Sequence, residues 1–334
     1  MMNSRGTNPP LWAEGRTRVR LLWTAHFVVL AITAFIILRW GDWRVFFKLL
    51  AGIDLKWLAL AMLFQVGTYI CVAVIWNLAL RSCRIFISAP DLFALSLAKL
   101  FSDQTVPSFG LSGSLVAMRG FIRRRSSPSA AAAAVIINTA SRYLPYLLMF
   151  SAAVVLLWQN RLLNKGLEYL ALIFSATVCL VSISAAVILK AARSEKPHPR
   201  LGRIRWIETL ITTLKDIPAK VWKKKRLWLT ASLLNALIFF LDASTLWALL
   251  SSLGTSAESW THAYAAFMIA SAAADIAVIP GRIGVFEGSL AALLHLLGIP
   301  VEEILAAVVL FRGLTYWLPL LPGSIVAERE LRSR

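Results

Sequence analysis

Apolar positions along this chain fall in long unbroken runs, not in the alternating or three-to-four spacing that builds a soluble core. Six runs approach or exceed the roughly 20 residues a helix needs to cross a bilayer. They are Leu21 to Leu38, Trp57 to Leu80, Ala130 to Trp158, Leu167 to Leu189, Leu227 to Leu253 and Ile304 to Ala327. The third is long enough to tilt, and Pro145 is placed to kink it. Two further apolar regions, Leu92 to Phe121 and His262 to Gly298, break in the middle. The breaks are Val106-Pro107-Ser108-Phe109-Gly110 and Ile279-Pro280-Gly281-Arg282-Ile283-Gly284. Each half is too short to cross alone. Half-length helices around a Pro/Gly break predict a re-entrant hairpin that enters and leaves by one face.

Composition agrees with this pattern. Of 334 residues 58% are hydrophobic and 16% charged, with a mean hydropathy of +0.70, where soluble domains carry about 25% charged residues. A net charge of +18 and a pI near 10.5 would on their own raise nucleic acid as a partner. The placement of the charge excludes that reading. With the N-terminus cytoplasmic and the broken regions returning to their own side, 25 of the 35 basic residues fall in cytoplasmic segments and six in outer ones. Four remain at membrane depth: Lys99, Arg142, Arg282 and Arg312. This is the positive-inside asymmetry of a multi-pass protein of the bacterial inner membrane with both termini cytoplasmic.

The cytoplasmic loop 190–226 places Ile204, Ile207, Leu210, Ile211, Leu214, Ile217 and Val221 at helical spacing. It predicts a basic amphipathic helix lying on the inner leaflet. Cys71, Cys83 and Cys179 and the four histidines form no ligand spacing, so no metal or cofactor is expected. The N-terminal run lacks a cleavage site and reads as a retained first helix.

The broken regions repeat one another. Each has an acid near the end of its first half (Asp103, Asp275), a break with Pro107 or Pro280, and a Gly/Ser-rich second half. A polar turn with Pro128 or Pro300 follows, then a span bearing one arginine, Arg142 or Arg312. Two spans precede each hairpin and one follows it, which predicts two units of opposite orientation, 1–160 and 161–334. The fold class expected is an all-α membrane protein with six transmembrane helices and two re-entrant hairpins in inverted repeats.

A half-helix starting at mid-membrane points free N–H groups and its positive dipole end into the break. The tips, with Gly110, Gly281 and Gly284 in them, are therefore anion sites. Arg142, Arg282 and Arg312 at membrane depth make the chemistry of a phosphate head group, since a charge there faces a cavity or a partner. Three arginines and two helix N-termini are the predicted substrate site.

These residues also carry a resemblance. Pro280 to Glu287, Leu297-Gly298-Ile299-Pro300 and Leu310-Phe311-Arg312-Gly313-Leu314-Thr315-Tyr316-Trp317-Leu318-Pro319 resemble the C-terminal signature of the lysylphosphatidylglycerol synthase transmembrane-region family, also described as flippase-like. Val106 to Gly113 with Arg123-Arg124-Arg125 is similar to that family's first hairpin. The resemblance implies a membrane domain that moves lipids or lipid-linked molecules between leaflets. Synthases of the family carry a soluble aminoacyl-transferase domain after this region, and lysyl transfer is not expected here. The family's Pro-Gly-Gly is Pro280-Gly281-Arg282 in this chain, which puts a charge at the tip.

Structural roles compete at several of these positions. Glu287, a substrate-site candidate, suits the first turn of a helix through the dipole alone, or binds a cation, couples a proton or pairs with Arg282. Asp103 and Asp275 are placed to pair with Arg142 and Arg312. Asp242, with Asn235, sits mid-span as a coupling site or, more simply, an interhelical hydrogen bond. Lys99 and His295 suit snorkelling near an interface. The run Ala130 to Ala134 predicts a close helix contact. The leading expectation is a lipid translocase for an anionic head group. The alternative is a membrane enzyme or accessory subunit acting on a lipid carrier, with Glu287 and Asp275 as its acid/base pair. A homodimer and a lipid-synthesis enzyme are the protein partners considered.

Overall fold

A computed structural model describes residues 43–105, 110–159, 161, 165–166, 168–170, 172–178, 180, 219–254, 260–277 and 284–332. Among them every regular element is helical. In order these are α1 (Trp43–Ala51), α2 (Leu55–Ser82), α3 (Ala89–Thr105), α4 (Leu111–Arg123), α5 (Pro128–Gln159), α6 (Ala219–Lys223), α7 (Lys225–Ser252), α8 (Trp260–Ile276), α9 (Val285–Leu296) and α10 (Val301–Arg312). A π-helical turn, Gly313–Trp317, joins α10 to α11 (Leu318–Arg332).

Among the described residues four helices are long and apolar enough to cross a membrane: α2, α5, α7 and the continuous rod Val301–Leu331. They coincide with the second, third, fifth and sixth predicted runs, and the chain is an integral membrane protein. The first run, 21–38, lies outside the described residues. The fourth is helical where it is described, within Glu168–Val178. Of the basic loop 190–226 only 219–226 is described. Pro145 sits inside α5 without ending it, so that span is one helix of 32 residues.

The spans pack antiparallel and parallel in a definite pattern. The Asp54 N–H at the start of α2 donates to the Ser252 carbonyl at the end of α7, 3.0 Å away. Trp57 meets Trp247 edge-on at 5.0 Å, so α2 and α7 run in opposite directions. Asn235 and Phe239 of α7 meet Ser141 and Tyr146 of α5 in the same order, so α5 runs parallel to α7. Between helices in lipid there is little hydrophobic drive, and close approach through small residues takes its place. Ala130 to Ala134 supply this on α5 and are all buried, and Ala131 to Ala134 share one core with Ala231 of α7 and Ala73 and Ala79 of α2.

Two large cores form at opposite ends of this bundle, and a small third one joins α3, α4 and α11. One gathers Ile75 to Leu80, Ala131 to Ile137 and Leu227 to Ile238 around Leu92, Leu95, Ala117 and Phe121 of the α3–α4 pair. The other gathers Tyr146 to Leu157 and Leu246 to Leu253 around α8, α9 and α10. Each helix pair thus belongs to one end only. A Cβ on Gly113 would come within 2.3 Å of the Lys99 carbonyl, and one on Gly120 within 2.3 Å of Leu95. The contacts descend α3 as they ascend α4, which makes the pair an antiparallel hairpin. Gly323 brings α11 equally close to α3, its absent Cβ lying 2.5 Å from the Leu97 carbonyl.

Candidate functional site

Both broken regions turn at a glycine in the left-handed conformation. Gly110 (φ 81°) precedes α4 and Gly284 (φ 85°) precedes α9, a geometry that disfavours any residue with a Cβ. Helix N-termini at these turns expose unpaired N–H groups, and an acid meets each one by a different route. For α4 the acid comes from the other half of the hairpin. Asp103 Oδ1 accepts from the Gly113 N–H at 2.7 Å, and Ser112 Oγ donates to the Ser102 carbonyl at 2.8 Å. Asp103 Oδ2 pairs with Lys99 one turn earlier. For α9 the acid lies on the helix itself, with Glu287 Oε2 accepting from the Gly284 N–H at 2.7 Å.

The expected pairing of Asp103 with Arg142 is therefore replaced by a pair with Lys99, four residues away on one helix face. Lys99 is held in that pair. Glu287 pairs with Arg312, its Oε1 lying 2.6 Å from the arginine Nε as a charge contact. The arginine's plane rests 4.5 Å from the Phe286 ring centroid and 5.5 Å from that of Tyr316. Both partners are mostly buried, at 14% and 20% exposure. Such a pair is costly to desolvate and is held together by its extra contacts.

Arg142 is held differently. Its guanidinium lies 4.7 Å from the Phe239 centroid and 5.8 Å from that of Tyr146. Among the described residues no carboxylate forms an ion pair with it. The acid expected to pair with Arg312, Asp275, instead accepts the Tyr146 hydroxyl at 2.9 Å and ties the second hairpin to α5. Tyr264 of α8 repeats that tie by donating to the Met149 carbonyl at 2.6 Å. Both arginines share one local arrangement, a tyrosine four residues on and a phenylalanine from another helix. Sequence reasoning found the arginines and missed these aromatic beds, though the Arg142/Tyr146 and Arg312/Tyr316 spacing was readable.

Just past Arg312 the helix widens. The Leu318 N–H bonds five residues back to the Gly313 carbonyl, and Pro319 brings no N–H to the carbonyl of Thr315. Gln104, at the end of α3, donates to that carbonyl at 3.5 Å. A π-turn beside a membrane arginine is a frequent mark of a functional site. The tip of the first hairpin thereby touches the last span one turn from Arg312.

Other predicted residues have structural partners. Asn235 Nδ2 donates to Ser141 Oγ at 2.9 Å, the expected interhelical bond. Asp242, one helix turn beyond Ile238, is in electrostatic range of Tyr69 and Cys71 on α2. His295 is exposed near the end of α9. Pro107, Pro280, Gly281 and Arg282 lie outside the described residues.

At the end that carries the first hairpin, a charge cluster joins it to the last helix. Glu330, 3% exposed, accepts from Arg123 at 3.0 Å and Arg124 at 2.8 Å. Arg124 also binds Asp91 at 2.9 Å. The Ser88 hydroxyl, and after it Arg124, hold the Asp91 carboxyl below its ordinary range against a partial loss of water.

No curated protein matches this chain in sequence. A family model does: residues 23–323 match the lysylphosphatidylglycerol synthase TM region. The matched stretch takes in every element from α1 to α10, both hairpins and both arginine beds. With four membrane-length helices and no strand among the described residues, the chain belongs to the lysylphosphatidylglycerol synthase transmembrane-region family.

Proposed function

We propose that this protein is a lipid translocase that carries an anionic phospholipid or lipid-linked phosphate between leaflets by alternating access. It has six spans and two re-entrant hairpins in two inverted units, with both termini in the cytoplasm of a bacterium. The observation that carries the reading is the pair of arginine beds. Arg142 and Arg312 occupy the spans that follow the two hairpins, each over a tyrosine four residues on.

Element lengths support the two units. Helices α2, α3 and α4 have 28, 17 and 13 residues; α7, α8 and α9 have 28, 17 and 12. The packing is reciprocal as well. Helix α5, closing the first unit, packs on the second hairpin, while α11, closing the second, packs on the first. The hairpins sit at opposite ends of the bundle, as inversion requires. The α9 N-terminus and Arg312 both meet Glu287, and once that carboxylate gives way an arginine and a helix N-terminus together favour phosphate. Rocking of one unit against the other then exposes the site to each leaflet in turn. This reading assigns the chain no catalytic step.

The test is head-group flipping in proteoliposomes. Replacing Arg142, Arg282 and Arg312 together by alanine is expected to abolish flipping of an anionic lipid; unchanged flipping would remove the arginines from the site.

A further inference from the structure

One arginine ties three helices together. Arg124, closing α4, donates to Glu330 of α11 at 2.8 Å and to Asp91, in the first turn of α3, at 2.9 Å. Arg123 adds a bond to the same glutamate at 3.0 Å and another to the Arg329 carbonyl at 2.7 Å. Farther from this base, Ala98 of α3, Val116 of α4 and Ala327 of α11 make a small core of their own, with Phe101 and Val326 packed against it. Gly113 and Gly323 bring α4 and α11 onto the backbone of α3. Near the tip, Ser112 and Asp103 bind the two halves of the hairpin. The helices α3, α4 and α11 are therefore fastened to one another from base to tip.

Their hold on the rest of the bundle is uneven. At the base Phe121 meets Trp76 of α2 edge-on at 5.2 Å, and both side chains are fully buried. Leu92, Leu95 and Ala117 lie in the same core. Farther along α2 the packing opens. A groove of about 160 Å³ runs between Met62 and Val66 of α2 on one side and Leu97, Leu318 and Pro322 on the other. Three links in the described chain join these helices to the bundle, and each interrupts an α-helix. The turns 83–88 and 124–127 pass through Arg84 and Arg125 in the left-handed conformation, φ 62° and 64°. The third link is the π-turn Gly313–Trp317. Pro319 and Pro322 follow it and bring no N–H to the Thr315 and Leu318 carbonyls, so the rod is least stiff just past α10.

We propose that α3, α4 and α11 move as one rigid body, pivoting on the Trp76–Phe121 contact at its base and hinged at the π-turn. The first hairpin then travels with the last helix of the other unit, not with α2 beside it. Packed bodies joined through a few element ends are what hinge motions are made of. The inference rests on the translocation reading for its use and narrows the rocking to these three helices. Gln104, at the end of α3, donates to the Thr315 carbonyl, so a swing of the body bends the rod one turn beyond Arg312 and alters its aromatic bed.

The motion is measured without transport, by pulsed electron paramagnetic resonance between paired spin labels. The full chain, with Cys71, Cys83 and Cys179 replaced by alanine, is held in nanodiscs of phosphatidylcholine and phosphatidylglycerol. Leu111→Cys with Leu331→Cys reports within the body, Leu148→Cys with Leu229→Cys within the bundle, and Leu111→Cys with Leu148→Cys between them. All four sites are exposed. Freezing traps hinge states of μs–ms lifetime as a spread of distances, and the cross pair is expected to be about twofold broader than either internal pair. A cross pair as narrow as the internal ones, or a Leu111–Leu331 pair as broad as the cross pair, would overturn the proposal. Flipping of anionic lipid is assayed on the same protein: a broad cross pair without flipping contradicts translocation alone, and flipping with a narrow cross pair contradicts this inference alone.

Discussion

Glu287 and Arg312 form a two-sided joint: one carboxylate oxygen lies 2.6 Å from the arginine Nε, and the other caps the Gly284 N–H at 2.7 Å. One residue therefore both starts α9 and neutralises the arginine of the last span. Glu287→Ala should cost about 3 kcal/mol or more, since it strands a mostly buried charge and uncaps a helix. Replacing both residues by leucine should recover much of that loss. Thermal midpoints of the two variants in detergent check the order.

On the first hairpin the same device is spread over two helices. Asp103→Asn keeps an acceptor for the Gly113 N–H but leaves Lys99 without its charge partner; Asp103→Ala removes both. The alanine variant should be the less stable by about 1 kcal/mol, the usual worth of an N-cap. Denaturation of purified protein distinguishes them.

Close packing predicts a contrast between two glycines. Gly323→Val would drive a side chain into the Leu97 carbonyl and Phe101, whereas nothing lies within 4 Å of a Cβ on Gly288. Overpacking of this kind costs about 1–3 kcal/mol. Gly288→Ala should be tolerated, and a lower melting temperature for Gly323→Val alone would bear this out.

The cluster around Glu330 predicts a pH response. Asp91, held low by Ser88 and then Arg124, has a depressed folded-state pKa. Its contribution is present above the ordinary aspartate value near 3.8 and is lost as pH falls through the lower folded value. Asp91→Asn should flatten this acid limb without changing stability's slope at neutral pH. Melting temperature against pH, from 7 down to 3, is the measurement.

The spans were legible because a run such as Leu227 to Leu253 has no other stable use than a membrane helix. The hairpin halves were legible from Pro107 and Gly110, which no continuous helix tolerates well. Partners were harder. Lys99 and Asp103 stand four apart, and that pairing was open to reading; membrane depth drew attention to Arg142 instead. Glu330 with Arg123 and Arg124 spans more than 200 residues, and no periodicity reports a contact at that range. The π-turn follows from Pro319, yet a proline need not widen a helix, as Pro145 inside the α-helical α5 illustrates.

On the translocase proposal, membrane-depth arginines recognise an anionic head group in transit. It is tested most directly by comparing flipping rates of a labelled anionic and a labelled zwitterionic phospholipid in the same proteoliposomes. Wild type is expected to flip the anionic lipid faster, and Arg142→Gln, which removes the charge but keeps hydrogen-bond donors, is expected to cut that advantage by about tenfold. Equal rates for both lipids, or an advantage untouched by Arg142→Gln, would contradict it.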